Sequence, residues 1–345
     1  MAESSRRDFV LTLAGAALAA CGGAQAKPAT AGAAAGEAMT GAVVAQRPFG
    51  KTGERVSMLG LGGFHIGKPS SEGESIRLIQ RAIDGGITFM DNCWDYNEGE
   101  SEVRMGKALA GGLRQRVFLM TKLDGRTGQA AQAQLEQSLA RLQTDVIDLV
   151  QIHEVIRPND PQRCFAPGGA IEALVRAREA GKLRYIGFTG HKHPDLHLAM
   201  LGAADENGFR FDAVQMPLNV MDAHFESFEA RVLPALVQRD FAVLGMKAIG
   251  SGDILASGAV SAEECLRYAL GLPTSVVITG IDDQRSLDQA LRVGQSFQPF
   301  SDAERGALLA RTREAAQGGK HELFKTSDKY DGTAKNPHWL ERAEL

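Results

Sequence analysis

Eight short apolar runs recur at nearly constant spacing between residues 57 and 280, and this recurrence limits the possible folds more than any other feature of the chain. They are SMLGLG (57–62), ITFMD (87–91), VFLMTK (117–122), VIDLVQIH (146–153), RYIGFT (184–189), FDAVQ (211–215), AVLGMK (242–247) and SVVITG (275–280). Continuous runs rich in Val, Ile, Leu and Phe suit strands buried on both faces of a parallel sheet. Between them lie stretches of helical period, such as SIRLIQRAIDGG (75–86), QLEQSLARLQ (134–143) and AIEALVRAREAGK (170–182), where Gly serves as a stop signal. Eight such βα units predict an α/β fold, a (β/α)8 barrel.

Six of the runs end in a polar residue: Asp91, Lys122, His153, Thr189, Gln215 and Lys247. Their separations of 31, 31, 36, 26 and 32 residues are each one βα unit, so all six gather at the C-terminal mouth of one barrel, the face that carries active sites. Tyr96 lies five residues after Asp91, in the loop NCWDYNEGESE, and reaches the same mouth. A phenol, with its pKa near 10 in water, needs a neighbouring cation to shuttle a proton at neutral pH, and Lys122 is that cation. Asp91 keeps Lys122 charged and aimed, and His153 adds a donor toward an incoming oxygen. Reduction of a carbonyl needs this set, because hydride arriving at carbon leaves an alkoxide to be protonated, a step worth roughly 10²–10⁴-fold. Each residue alone has an ordinary structural explanation; the combination is specific.

These segments resemble the aldo-keto reductases from about Arg47 to Phe300. RPFGKTGERVSMLGLGG is similar to the family's N-terminal β-hairpin and first strand. In GITFMDNCWDYNEGESEVRMGKAL, Asp91 and Tyr96 match the catalytic Asp and Tyr, and the run Gly99-Glu100-Ser101-Glu102 is typical; Lys122 in FLMTKL and His153 in LVQIHEV complete the tetrad. The resemblance implies NAD(P)(H)-dependent interconversion of a small-molecule carbonyl (aldehyde, ketone or sugar) and an alcohol, with no Rossmann domain and no metal. It places Gln215 and Thr189 on the nicotinamide carboxamide, although Gly190 stands where the family has Asn, with His191 or Lys192 available to compensate. Met246 and Lys247 fall where many members have a stacking aromatic. Gly280, Asp282 and Arg285 lie in the adenosine-phosphate segment. Arg285 suits the 2′-phosphate of NADP, whereas Asp282 and Asp283 suit the free ribose hydroxyl of NAD, so the choice stays open. Trp94, His191 and Asn219 are candidates for the substrate pocket.

The N-terminus reads differently. Arg6-Arg7 followed by an uncharged stretch, Val10–Ala20, is too short for about 30 Å of hydrocarbon and resembles a twin-arginine export signal (1–20). Leu18-Ala19-Ala20-Cys21 resembles a lipobox, which makes Cys21 the lipidation site and a membrane anchor; the alternative is an ordinary signal cut near Ala24-Gln25-Ala26. Residues 21–43 are small and low in complexity, a tether. The barrel then occupies 44–300. From 301 to 345 a capping box, Ser301 to Glu304, opens a further helix, followed by an ordered tail pinned by Trp339. The expected location is therefore the periplasmic face, reached through the twin-arginine machinery. Lys+Arg 38 against Asp+Glu 42, with no basic block, excludes a nucleic-acid footprint. Cys93, Cys164 and Cys265 form no C-x-x-C pair, which argues against zinc ribbons and iron–sulfur clusters. Export lends weight to a further reading, a barrel that binds nucleotide in a structural or sensing role, which the intact tetrad opposes; a third is a redox-neutral enzyme with tightly held NAD(P).

Overall fold

The computed structural model describes residues 43–345. A two-stranded antiparallel hairpin comes first, β1 (Gln46–Pro48) and β2 (Arg55–Ser57). Eight parallel strands follow: β3 (Leu59–Gly62), β4 (Phe89–Met90), β5 (Phe118–Leu123), β6 (Ile147–Ile152), β7 (Leu183–Thr189), β8 (Ala213–Pro217), β9 (Ala242–Met246) and β10 (Val276–Gly280). They close in chain order, with β10 pairing back onto β3 through Val277↔Leu59 and Thr279↔Leu61. Each predicted run overlaps one barrel strand, with ends that agree to within two residues, and the fold is the predicted (β/α)8 barrel.

The alternation of side chains along each strand divides the core in two. One cluster fills the barrel interior with Phe89, Met120, Leu149, Leu244 and Val276. The other lies between the strands and the surrounding helices. The hairpin seals the N-terminal end of the barrel. Phe49, fully buried, packs on Phe118 with ring centroids 4.7 Å apart and on Phe89 at 6.1 Å. Gly50 allows this approach: its φ is +54° and a Cβ there would sit 2.6 Å from the Ala242 nitrogen.

The helices begin where side chains satisfy their free amides. Ser71 caps Glu72–Asp84, Thr127 caps Gly128–Leu142, and capping boxes open Ala262–Gly271, Gln284–Gln295 and Asp302–Thr312. Beyond Thr312 the chain continues through short helical turns laid on the barrel. There Gln134 Nε2 donates to the carbonyls of Trp339 (2.8 Å) and Arg342 (2.9 Å), and the Trp339 ring meets Trp94 edge-on at 5.8 Å. Cys93, Cys164 and Cys265 are buried free thiols. Arg6, Arg7 and Cys21 lie outside the described residues.

Candidate active site

Strand register brings the polar strand ends together. Asp91 follows β4, Lys122 lies in β5 and His153 follows β6, with its backbone amide on Leu123 O at 2.8 Å. Lys122, 1% exposed, donates from Nζ to Asp91 Oδ1 (2.8 Å), Asn92 O (2.7 Å) and Tyr96 Oη (3.2 Å). Gln215 Nε2 donates to Asp91 Oδ2 at 3.2 Å, and Gln151 Nε2 donates to Gln215 Oε1 at 2.8 Å. A continuous hydrogen-bonded line therefore runs from Gln151 to the Tyr96 hydroxyl.

The loop after β4 carries Tyr96 into that line by turning sharply. Asn97 and Glu98 adopt left-handed φ values of 51° and 57°. The Asn97 side chain fixes the turn by donating to Phe64 O (2.9 Å) and Ser101 Oγ (2.8 Å). The Tyr96 ring packs edge-on against Phe64 at 5.5 Å and against His153 at 5.9 Å. Burial, helped by the Asp91 charge, raises the Tyr96 hydroxyl above a phenol's usual range, so it is protonated at neutral pH.

These groups open into a cavity of about 610 Å³, within the range of small-molecule and cofactor sites. Thr189, Gln215, Met246, Lys247, Gly280, Asp282 and His191 also line it. Three candidates do not. Trp94 is fully buried behind the loop, donating from Nε1 to Gln137 at 2.7 Å under the Arg141 guanidinium. Asn219 is buried with its Oδ1 accepting from the amides of Met221 and Asp222, so it holds a turn. Arg285 is exposed and lies outside the lining, whereas its neighbours Asp282 and Ser286 belong to it. His191 reaches the cavity with its Nε2 held by Asp331 at 2.9 Å, and Lys192 also pairs with Asp331, at 2.7 Å.

The structure adds groups that periodicity could not place. The tail brings Tyr330, Gly332 and Lys335 to the cavity. Tyr330 stands beside Lys247, whose Nζ lies 4.7 Å from its ring centroid, so an aromatic reaches this region from the tail instead of from the strand end. Lys247 has a left-handed φ of 57° and forms no salt bridge among the described residues; burial lowers its ammonium to about 8. Glu154, next to His153, accepts from the amides of Gly332 (2.9 Å) and Thr333 (2.8 Å) and from Thr333 Oγ1 (2.6 Å). Burial alone would raise this carboxyl, but His153, His191 and the Thr333 bonds hold it below its usual range. Asp124 Oδ1 lies 2.9 Å from His153 Nδ1. Nothing in the sequence singles out Asp124 or Glu154, because each takes its meaning from contacts made in the folded chain.

Comparison with known proteins agrees with this fold. The aldo/keto reductase family profile matches residues 58–259. Two Bacillus subtilis proteins are similar over shorter stretches: the aldo-keto reductase YhdN, 36% identical over 151 residues (39% of this chain, 44% of YhdN), and the uncharacterized oxidoreductase YrpG, 35% over 159 residues (40% and 47%). The chain thus spans about half the length of the curated relatives it matches. Among solved structures, the holo form of an aldo-keto reductase from Bacillus halodurans is 21% identical with a TM-score of 0.63, covering 77% of this chain and 95% of that one. An aldo/keto reductase from Klebsiella pneumoniae in complex with NADP and acetate is 22% identical with a TM-score of 0.62, covering 75% and 92%. At these identities the structural matches speak for the fold, and the profile speaks for the family. The chain belongs to the aldo/keto reductase family.

Proposed function

We propose that the protein is an NAD(P)(H)-dependent oxidoreductase that interconverts a small carbonyl compound and its alcohol, with Tyr96 as general acid and base. The observation that carries this reading is the Lys122 ammonium, shared between Asp91 Oδ1 at 2.8 Å and Tyr96 Oη at 3.2 Å in the wall of the cavity. In reduction, Tyr96 gives its proton to the nascent alkoxide, and Lys122 stabilises the phenolate left behind. Asp91 holds the ammonium in place, and His153 donates to the substrate oxygen.

The donor set fits a nicotinamide dinucleotide. Gln215 uses one N–H on Asp91 and one lone pair on Gln151, which leaves a donor and an acceptor for a carboxamide. Thr189 stands beside it in register, Thr189↔Gln215. Gly62, Gly250, Gly252 and Gly280 line the cavity with bare backbone, and Asp282 lies among them at the start of the last barrel helix. When bound, the reduced dinucleotide supplies the hydride. The Klebsiella relative with NADP supports the same class of cofactor here. Export to the periplasmic face, with Cys21 as the lipid anchor, belongs to the same proposal.

Single-turnover mixing of protein preloaded with NADPH or NADH against an aromatic aldehyde tests the function. The near-ultraviolet absorbance of the reduced nicotinamide is expected to fall once and stay down. An unchanged signal would mark a nucleotide-binding barrel, and a fall followed by recovery would mark a redox-neutral enzyme.

A further inference from the structure

His153 presents two nitrogens with different surroundings. Its Nε2 makes no hydrogen bond among the described residues, and the ring lines the cavity, so Nε2 is the nitrogen left for a substrate oxygen. Its Nδ1 faces Asp124 Oδ1 at 2.9 Å, Cys93 Sγ at 3.2 Å and Asp95 Oδ1 at 3.7 Å. A neutral imidazole carries one N–H. If Nδ1 holds it, Nε2 can only accept, and the donor that the reduction calls for is missing.

The neighbours of Asp124 decide which nitrogen is protonated. Its side chain is 0% exposed, and among the described residues its Oδ1 meets only His153 and its Oδ2 has no partner. Two other buried carboxylates are compensated: Glu154 accepts three hydrogen bonds, and Asp160 takes the Arg126 Nε at 3.0 Å. Among the described residues no cation bonds the Asp124 carboxyl, although Arg126, Lys122 and Arg157 lie near enough to lower its pKa somewhat against the larger effect of burial. Arg126 is spent on Asp160 and on the carbonyls of Asp124, His153 and Glu154; Lys122 is spent on Asp91 and Asn92; Arg157 faces Asp160. Two further acids, Asp95 and Glu154, add negative potential to the same region. A charged, singly bonded and fully buried carboxylate is costly, and keeping its proton removes the cost.

We propose that Asp124 is a positioning residue that stays protonated, donates its O–H to His153 Nδ1, and thereby fixes the imidazole tautomer whose Nε2–H points at the substrate oxygen. Titration tendencies agree: burial raises Asp124 to about 8 and Asp95 to about 7, and lowers His153 below the usual histidine range. Cys93, a thiol kept neutral by burial, has a second acceptor in Lys122 O at 3.6 Å and does not compete for the role. Above the Asp124 titration, the proton on the imidazole moves to Nδ1 to face the new carboxylate. Nε2 becomes an acceptor and reduction slows. The catalytic consequence rests on the reductase reading; the tautomer does not.

The test follows both. The full chain, labelled with 15N-histidine, is observed by NMR, with His153→Gln identifying the His153 ring signals. The wild type is expected to show the Nε2–H tautomer near neutral pH and to convert to Nδ1–H as pH rises through about 8. Asp124→Asn, whose amide donates without titrating, is expected to keep Nε2–H throughout, and Asp124→Ala to lose it at neutral pH. In parallel, kcat for reduction of 4-nitrobenzaldehyde should fall on the alkaline side about tenfold or more in the wild type and stay level in Asp124→Asn. An Nδ1–H tautomer at neutral pH, or a wild-type spectrum that ignores pH, overturns the proposal. Absence of any turnover with the expected NMR titration would overturn the reductase reading alone. If Asp124→Asn fails to fold, the wild-type titration decides.

Discussion

At the scale of single residues, the proposed function makes the Tyr96 hydroxyl the group on which proton transfer depends. Tyr96→Phe keeps the ring that packs on Phe64 and His153 and removes only the proton. A loss of at least about 10²-fold in kcat is expected, with the dissociation constant for NADPH, measured by fluorescence titration, changed less than about threefold. Retention of more than about a tenth of wild-type kcat would mean that another group is the acid. The convergence of Asp91, Lys122 and His153 was legible in the sequence because a spacing of one βα unit puts strand-end side chains on one rim, whereas Tyr96 joins them through the turn of its loop. Trp94 was not legible in that way. It sits between Asp91 and Tyr96, yet its amide is bound to Lys122 O at 3.0 Å and its indole turns outward to Gln137, away from the cavity. Asn219 likewise spends its side-chain oxygen on local amides, a choice that residue type alone does not reveal.

At the scale of elements, the strands were readable and the tail's docking was not. Strand identity is written in local periodicity, whereas Glu154 meets Gly332 across 178 residues. Glu154 itself holds a left-handed φ of 47°, a conformation that costs a non-glycine residue about 1 kcal/mol and is maintained here by three donors from the tail. Glu154→Ala would leave the buried Thr333 amide without its acceptor and should cost about 1–3 kcal/mol. Faster hydrogen exchange at Gly332 and Thr333 is the expected signature, with little change in the strands. The sign with pH also follows. A carboxyl held below its usual range stabilises above its unfolded pKa and loses that contribution as pH falls through the folded value, so wild-type tail protection should drop in acid. Tail protection equal in Glu154→Ala and wild type would show that other contacts hold the segment.

At the scale of the whole molecule, a buried histidine is expected to contribute to acid sensitivity. His197 is fully buried, its Nε2 beside Gln215 O at 3.1 Å, and burial lowers its pKa to about 4. Between that value and about 6.5 the unfolded chain binds a proton that the folded chain refuses, so stability falls as pH falls through this window. By pH about 4.5 the loss from this one residue is about 2.5 kcal/mol, and His197→Gln should flatten the decline seen in urea unfolding by about that amount. An unchanged slope would assign the acid sensitivity to other groups. Location is tested separately: Arg6→Lys with Arg7→Lys should leave the protein in the cytoplasm, and Cys21→Ser should release the exported form from membranes. Unaltered fractionation of both variants would rule out the export reading. The docked tail also bears on the timing of synthesis. Because Tyr330, Gly332 and Lys335 complete a cavity whose proton-handling groups were laid down much earlier in the chain, a ribosome-bound intermediate can close the barrel yet still lack a wall of its cavity. The cavity thus gains its last wall only when the tail has emerged, and a chain ending just before Tyr330 would leave that side open.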